Sequence, residues 1–394
     1  MERHLERNAN SDVSGRVGGG MTPPGGGRLF ADLGVAVHEE APRRLLDELP
    51  GLYGNCFCLA ESFDIYERSR RRSACETSDP RHVVLYTRRG ATVRVLNRRL
   101  AIDAAAADRV VEAVFRAHPE VRRIELEAEI APDRLSRPVR VLRRSDDLVV
   151  ELPATQDEYE DSLGKATRKH LRQGRNRLRR SHPEFELRVL EASEITLALV
   201  EQVFAWNRAR IRAKGEPWAY ERQPEAPHLL WRLLRSRGTA LVGYAEGVPV
   251  AGELLFFVGR DCWMHTGGSD AGYDRLGLGL LMVEAGIGES IRRGCRRTHL
   301  LWSTPAYKRR LGARPVPCYR LSIFRSSFSR RAYALERWRL LLEERRHVYW
   351  RLRKAARTAK AQTGCLARPV LHPAARGRRS APDQVLHAGH DRRR

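Results

Sequence analysis

The chain has 394 residues, 42% of them apolar and 30% charged, which is enough for two ordinary domains or one large domain with tails and excludes a wholly disordered or collagen-like protein. Its 72 basic and 48 acidic residues leave a formal charge of +24, which invites a polyanionic partner, yet only six of the bases are lysine, an arginine excess that a GC-rich coding sequence yields equally well. The 70 residues from Arg325 onward hold +14 of that charge, so the body is only moderately basic, and no stretch offers the roughly 20 apolar residues of a spanning helix.

The opening segment carries Gly18-Gly19-Gly20 and Pro23-Pro24-Gly25-Gly26-Gly27, so residues 1–28 read as a disordered glycine-rich leader. It has no apolar h-region, which argues against a secretory signal and for a cytoplasmic protein, and Met21 is an alternative translation start. Seven cysteines without a Cys-x-x-Cys pair fit small buried side chains in a reducing compartment rather than a zinc or redox site.

From residue 29 to 146 the pattern is a small α/β layer. Residues 82–87 and 91–96 alternate like paired strands across Arg88-Arg89-Gly90, Asp103 is a plausible N-cap for a helix through His118, and 121–129 reads as a strand. A second unit, 147–325, opens at the polar pair Asp146-Asp147, runs through a strand at 148–153, and enters a helix that Thr155 can cap. Residues 165–180 then hold eight Lys or Arg and no acid, with Leu163, Leu171 and Leu178 as apolar anchors. This is either a solvated helix face or a surface for phosphates or tRNA.

A strand at 185–190 precedes helices at 194–213 and 225–237. Three strands follow at 240–246, 249–258 and 261–267, joined by turns short enough to demand antiparallel neighbours. A glycine-rich loop, a helix at 277–293, a strand at 298–302, a short helix at 305–311 and a strand at 316–324 complete the order βββ, loop, αβαβ. The loop, Asp270-Ala-Gly-Tyr273-Asp-Arg275-Leu-Gly277-Leu278-Gly279-Leu280-Leu281, lies where a strand ends and a helix starts. Glycines there let backbone amides approach an anion at the positive helix end, so a diphosphate is a natural guest. The loop is neither a dinucleotide fingerprint nor a Walker loop.

With this loop, the run from Leu152-Pro153 through Tyr159, Leu163-Gly164-Lys165 and the 168–180 helix, and Gly294 followed by Tyr307-Lys308 and Gly312, residues 147–324 resemble the GNAT superfamily of acyl-CoA transferases, in particular its cellulose-biosynthesis and Fem-like branch. The resemblance implies an α/β fold of α+β type, with a mixed sheet splayed at its centre, acetyl-CoA or another acyl-CoA in the opening, and its pyrophosphate on Arg275, Gly277, Leu278, Gly279 and Leu280. It also implies two tandem GNAT-like units, with 29–146 degenerate and the C-terminal one catalytic.

Acyl transfer to an amine needs an uncharged nucleophile, a polarised thioester carbonyl and a proton for the leaving thiolate. On the 261–267 strand, alternation puts Trp263 and His265 on one face beside the loop, and His265 titrates near neutrality. Glu253, in an otherwise apolar strand, is the rival base or else a structural ion pair. The resemblance implies Tyr307 as the acid for the thiolate and Lys308 as a contact to acyl or phosphate. His299 and Ser303 depart from the Asp and Gly of the family pattern, and His299 is either an ordinary strand histidine or a second acid–base group.

Apolar residues from Phe328 to Ala356 recur every three, four or seven positions among arginines, so 326–360 reads as a basic amphipathic helix followed by a disordered basic tail, 361–394. The helix docks on the body, lies on an anionic membrane surface at the inner face, or meets nucleic acid. No metal site is indicated, tail histidines His387 and His390 included. The leading expectation is an acyl-CoA-dependent N-acyltransferase acting on a primary amine of a small polar or envelope- or polysaccharide-related acceptor. The alternatives are Fem-like aminoacyl transfer from tRNA and a non-catalytic binding protein of the same fold.

Overall fold

The computed structural model describes residues 27–66, 71–301, 306–335 and 338. Most of the glycine-rich leader, Ser303, the greater part of the basic amphipathic segment and the whole tail lie outside the described residues. A compact unit extends to Ala332, and a second begins at Tyr333.

In chain order the elements are β1 (Arg28–Phe30), β2 (Val35–His38), α1 (Arg43–Tyr53), α2 (Ala60–Tyr66), β3 (Ser73–Ser78), β4 (Arg81–Arg89), β5 (Thr92–Val95), α3 (Ala104–Ala117), β6 (Arg123–Ala128) and β7 (Val139–Glu151). They continue with α4 (Gln156–Ser162), α5 (Lys165–Ser181), β8 (Glu186–Glu191), α6 (Leu197–Ala213), α7 (Ala226–Arg237), β9 (Gly238–Ala245), β10 (Val248–Val258), β11 (Asp261–Ser269), α8 (Leu278–Arg292), β12 (Arg297–His299), α9 (Ala306–Arg310) and β13 (Arg314–Phe324). Arg28, assigned to the leader from composition, is already in β1, where it pairs with Val37.

Among the described residues, thirteen strands form one mixed sheet in the order β1-β2-β3-β4-β5-β6-β13-β7-β12-β11-β10-β9-β8. Its parallel strand pairs are β5 with β6, bridged by α3, and β11 with β12, bridged by α8. Each half thus repeats an antiparallel series ending in a βαβ crossover. The halves interlock at the centre, because β13 pairs with β6 on one side and β7 on the other. The expected boundary at 146/147 is not a break: β7 passes through Asp146-Asp147, and Asp147 is fully buried.

The two crossover helices start differently. Asp103 caps α3 with its own carboxylate, accepting from the Ala106 amide at 2.8 Å, whereas α8 starts at Gly277, which has a φ of +75° and no side chain to offer. The first-turn amides of a helix lack intrahelical partners, so α3 is already occupied by an anion and α8 is open to one.

Local rules account for the basic helix. Thr155 and Glu158 form a reciprocal capping box at α4, and α5 buries Leu171, Gly174 and Leu178 while Lys165, Lys169, Arg172, Arg177, Arg179 and Arg180 stay exposed. Burying each of those two leucines contributes roughly 2 kcal/mol, which anchors an otherwise polar helix. Gly174 gives the closest approach, since a Cβ there would sit 3.4 Å from the Leu276 carbonyl of the glycine loop.

Among the described residues no helix is long and apolar enough to cross a membrane, and the six described cysteines are free thiols. After β13 the chain is helical over 327–335, with Phe328 78% exposed.

Candidate active site

The site exists because β12 is short. β11 pairs with it only from Asp261 to Trp263, after which Leu301 takes a φ of +57° and turns the chain away. β11 continues to Ser269, held on its other edge by β10. The strands therefore part, and a cavity of about 940 Å³ fills the opening. Lys308 holds the departing chain: its buried ammonium donates to the carbonyls of Leu300 and Leu301.

The opening runs through the sheet. Ala251, Leu255 and Met264 belong to the core under α8, while their neighbours Leu254, Phe256 and Trp263 belong to the core under α6 and α7. The helices therefore cover opposite faces of β10 and β11. Glycines set the spacing: a Cβ on Gly268 would lie 2.7 Å from the Val203 carbonyl of α6, and one on Gly286 would lie 2.7 Å from Met264.

Glu253, His265, Tyr307 and Lys308 all line this cavity, as do Gly277, Gly279 and Leu280. Glu253 is 8% exposed and has no hydrogen-bond partner among the described residues. It lies opposite Gly267 in the β10–β11 ladder, and a Cβ on Gly267 would fall within 2.0–2.1 Å of its carboxyl atoms. The carboxyl occupies the space a side chain would have taken. Burial raises its pKa to about 7, with the charges of Arg210 and Lys308 opposing the rise.

His265 sits in the β-bulge where the β10–β11 register shifts. Its ring lies 5.9 Å from both Phe57 and Phe256, and Nδ1 is 3.0 Å from Thr266 Oγ1. Burial, assisted by Arg98, lowers its pKa to about 4, so the imidazole is neutral at physiological pH. Tyr307 is pushed up to about 12 by burial and then by Glu253. Lys308 is lowered to about 8, chiefly by burial.

On the α8 side, Asp270 shapes the loop by accepting from the Gly272 amide at 2.8 Å, and Tyr273 packs on His182 with centroids 4.8 Å apart. Gly279 faces the cavity. The side chains assigned to the cofactor divide: Arg275 is exposed and Leu278 is buried in the core, and neither lines the cavity, so Leu278 has only its backbone amide to offer an anion.

His299 is not in the cavity. Its Nδ1 lies 2.7 Å from Asp147, its ring stacks on Trp263 at 3.7 Å, and Asp261 lies 3.7 Å from Nε2. Arg99 and Arg297 extend this buried ionic chain through Asp147 and Asp261, joining the two halves of the sheet. The two aspartates outweigh burial and raise the His299 pKa. Removing one member of such a pair costs about 3–5 kcal/mol. His299→Leu is therefore expected to lower the melting temperature sharply at pH 6, and by less as pH rises through the raised pKa and the imidazolium contribution disappears. A melting temperature unchanged at pH 6 would remove the ionic role.

Residues that sequence reasoning did not single out complete the α6 wall: Asn207, Arg210, Lys214, Trp218 and Tyr220. Among the described residues no cluster of ligating side chains suits a metal ion.

The acetyltransferase (GNAT) domain family matches residues 165–309, which include the loop, Glu253, His265, Tyr307 and Lys308. No curated protein matches the sequence. The fold is similar to that of FemX, at 9% identity and a TM-score of 0.50, covering 70% of this chain and 95% of FemX. It is also similar to the C-terminal domain of a putative lysylphosphatidylglycerol synthetase from Agrobacterium fabrum, at 12% identity and a TM-score of 0.47, covering 73% of this chain and 93% of that one.

Proposed function

We propose, for a chain that carries a GNAT acyltransferase domain over residues 165–309, that it transfers an acyl group from acyl-CoA to a primary amine in the opening between β11 and β12. The observation that carries this reading is Glu253, a buried carboxyl with a pKa near 7 in a cavity whose opposite wall is a helix N-terminus without a side-chain cap. The amides of 278–280 and the glycines beside them suit the donor's diphosphate.

Glu253 takes a proton from the acceptor ammonium, directly or through a water, and the free amine attacks the thioester carbonyl. The new C–N bond forms as the C–S bond breaks; Tyr307, protonated throughout the neutral range, gives its proton to the thiolate and is restored by the second proton that the nitrogen sheds, while Glu253 returns the first to solvent. A histidine with a pKa near 4 is a poor proton acceptor at neutral pH, so His265 serves as a neutral hydrogen-bonding partner rather than the base. Lys308, bound to the Leu300 and Leu301 carbonyls, keeps the opening in shape.

Calorimetric titration with acetyl-CoA, CoA and a longer acyl-CoA tests the donor. Micromolar binding that is lost in Gly279→Trp is expected, because that side chain enters the cavity beside Ser269, whose Oγ is 3.3 Å from where a Cβ would be. A folded wild type that binds none of them refutes the reading. Tyr307→Phe is expected to lower kcat by about 10²-fold with donor binding intact, and unchanged turnover would remove Tyr307 from the mechanism.

A further inference from the structure

The α6 side of the cavity carries charge that nothing in the fold consumes. Arg210 and Lys214 are four residues apart near the end of α6, hence on one helical face, and both line the opening. Neither side chain makes a hydrogen bond or ion pair among the described residues. Their neighbours behave differently: Arg208 and Arg212 of the same helix both pair with Glu221. Glu216 and Asp274 are the other acids lining the cavity, and neither pairs with Arg210 or Lys214. The fold thus neutralises the arginines that face away from the site and leaves these two cations open.

Their position relates them to the reaction. The charge of Arg210 acts on Glu253, Tyr307 and Lys308 together, so it lies close to the reacting centre. The wall that bears it is fixed in advance. Asn207, one turn earlier, donates to the Gly267 carbonyl at 2.8 Å and accepts from Trp218 Nε1 at 3.1 Å, and Arg208 packs over the Trp218 ring at 5.3 Å. Because the helix that bears the two cations is fixed before binding, only their side-chain freedom is lost when an anion arrives, and a guanidinium matches the two oxygens of a carboxylate or phosphate.

We infer that the acceptor amine itself bears an anionic group, a carboxylate or a phosphate monoester, which Arg210 and Lys214 hold on the α6 face while its amine reaches Glu253. This rests on the acyl-transfer reading. It assigns the acceptor to the side of the sheet opposite the Gly277–Gly279 loop, so that the two substrates enter from opposite faces.

Matched amines test it: phosphoethanolamine against ethanolamine, and β-alanine against β-alaninamide, with CoA release from acetyl-CoA as the readout. The two pairs separate phosphate from carboxylate. The expected result is at least a tenfold preference in kcat/KM for the charged member of one pair. In Arg210→Gln/Lys214→Gln that preference collapses through a raised KM, while calorimetric acetyl-CoA binding and the thermal melt are unchanged. Equal use of charged and neutral amines overturns the inference, as does a preference that survives in the double variant. A tenfold loss of acetyl-CoA affinity in that variant also overturns it, since the cations would then serve the donor. If the wild type binds no acyl-CoA, the donor reading fails alone. Calorimetry with phosphoethanolamine and β-alanine then decides the anion site, which stands if binding is present in the wild type and lost in the double variant, and falls otherwise.

Discussion

Glu253→Gln is expected to lower kcat by about 10²- to 10⁴-fold at pH 8, the range by which a positioned general base contributes. The wild-type rate should climb as pH rises through about 7, where this carboxyl ionises, and the residual activity of the variant should show no such step. Stability runs the other way. Because the folded pKa is raised above the ordinary value of 4.5, the group's stabilising contribution is complete below that value and is lost as pH rises to about 7. The glutamine variant keeps the neutral form, so it should melt higher than the wild type at pH 8 and about equally at pH 4. Paired kinetic and thermal measurements across that range check both halves. A variant that is inactive but no more stable at pH 8 would mean that burial is not what raises the carboxyl.

Gly267→Ala should be nearly as damaging, although it removes no functional group. Its new methyl would overlap the Glu253 carboxyl at 2.0–2.1 Å, and because Gly267 itself is held in a paired strand, the carboxyl is what must move. A loss of about 10²-fold in kcat/KM is expected, since misplacing a catalytic group by an ångström has that scale. The diagnostic is non-additivity: Gly267→Ala/Glu253→Gln should be no worse than Glu253→Gln alone, because two changes that disable one group are not counted twice. Full activity in Gly267→Ala would show that Glu253 works from another position or not at all. Gly51→Ala, on α1 and away from the cavity, is the control, because its Cβ meets nothing within 4 Å.

Much of the site's local structure was legible because it rests on rules of short range. The two-residue turns on either side of β10 fixed antiparallel neighbours, Asp103 and Thr155 acted as caps, and Gly277 marked the entry to α8. Glu253 stood out for the same reason, a carboxylate where alternation calls for an apolar side chain. What was not legible depends on pairing between distant segments. Asp147 read as the polar opening of a second unit because its partners, Arg99 and His299, lie 48 and 152 residues away in sequence. Nothing in the sequence showed that Lys308 donates to two backbone carbonyls, whose direction follows from the turn at Leu301. Arg210 and Lys214 carry no local mark at all. In the string they are two more charges on a basic helix, and only the absence of partners in three dimensions separates them from Arg208 and Arg212.

The place of β13 has a consequence for how this chain comes to be folded. It is the last of the described strands in sequence, yet it lies between β6 and β7, so a nascent chain that has emerged only to residue 313 has no strand to join its halves there. Until Phe324 clears the ribosome, β6 and β7 each present an unpaired row of amides and carbonyls, the kind of edge that recruits other chains. Pairing β13 with β6 also closes a loop of nearly 200 residues, between Ile124 and Ile323, which makes the step slow as well as late. The middle of the sheet is thus the interval in which synthesis is exposed to aggregation, and a chaperone that shields strand edges has its longest task here.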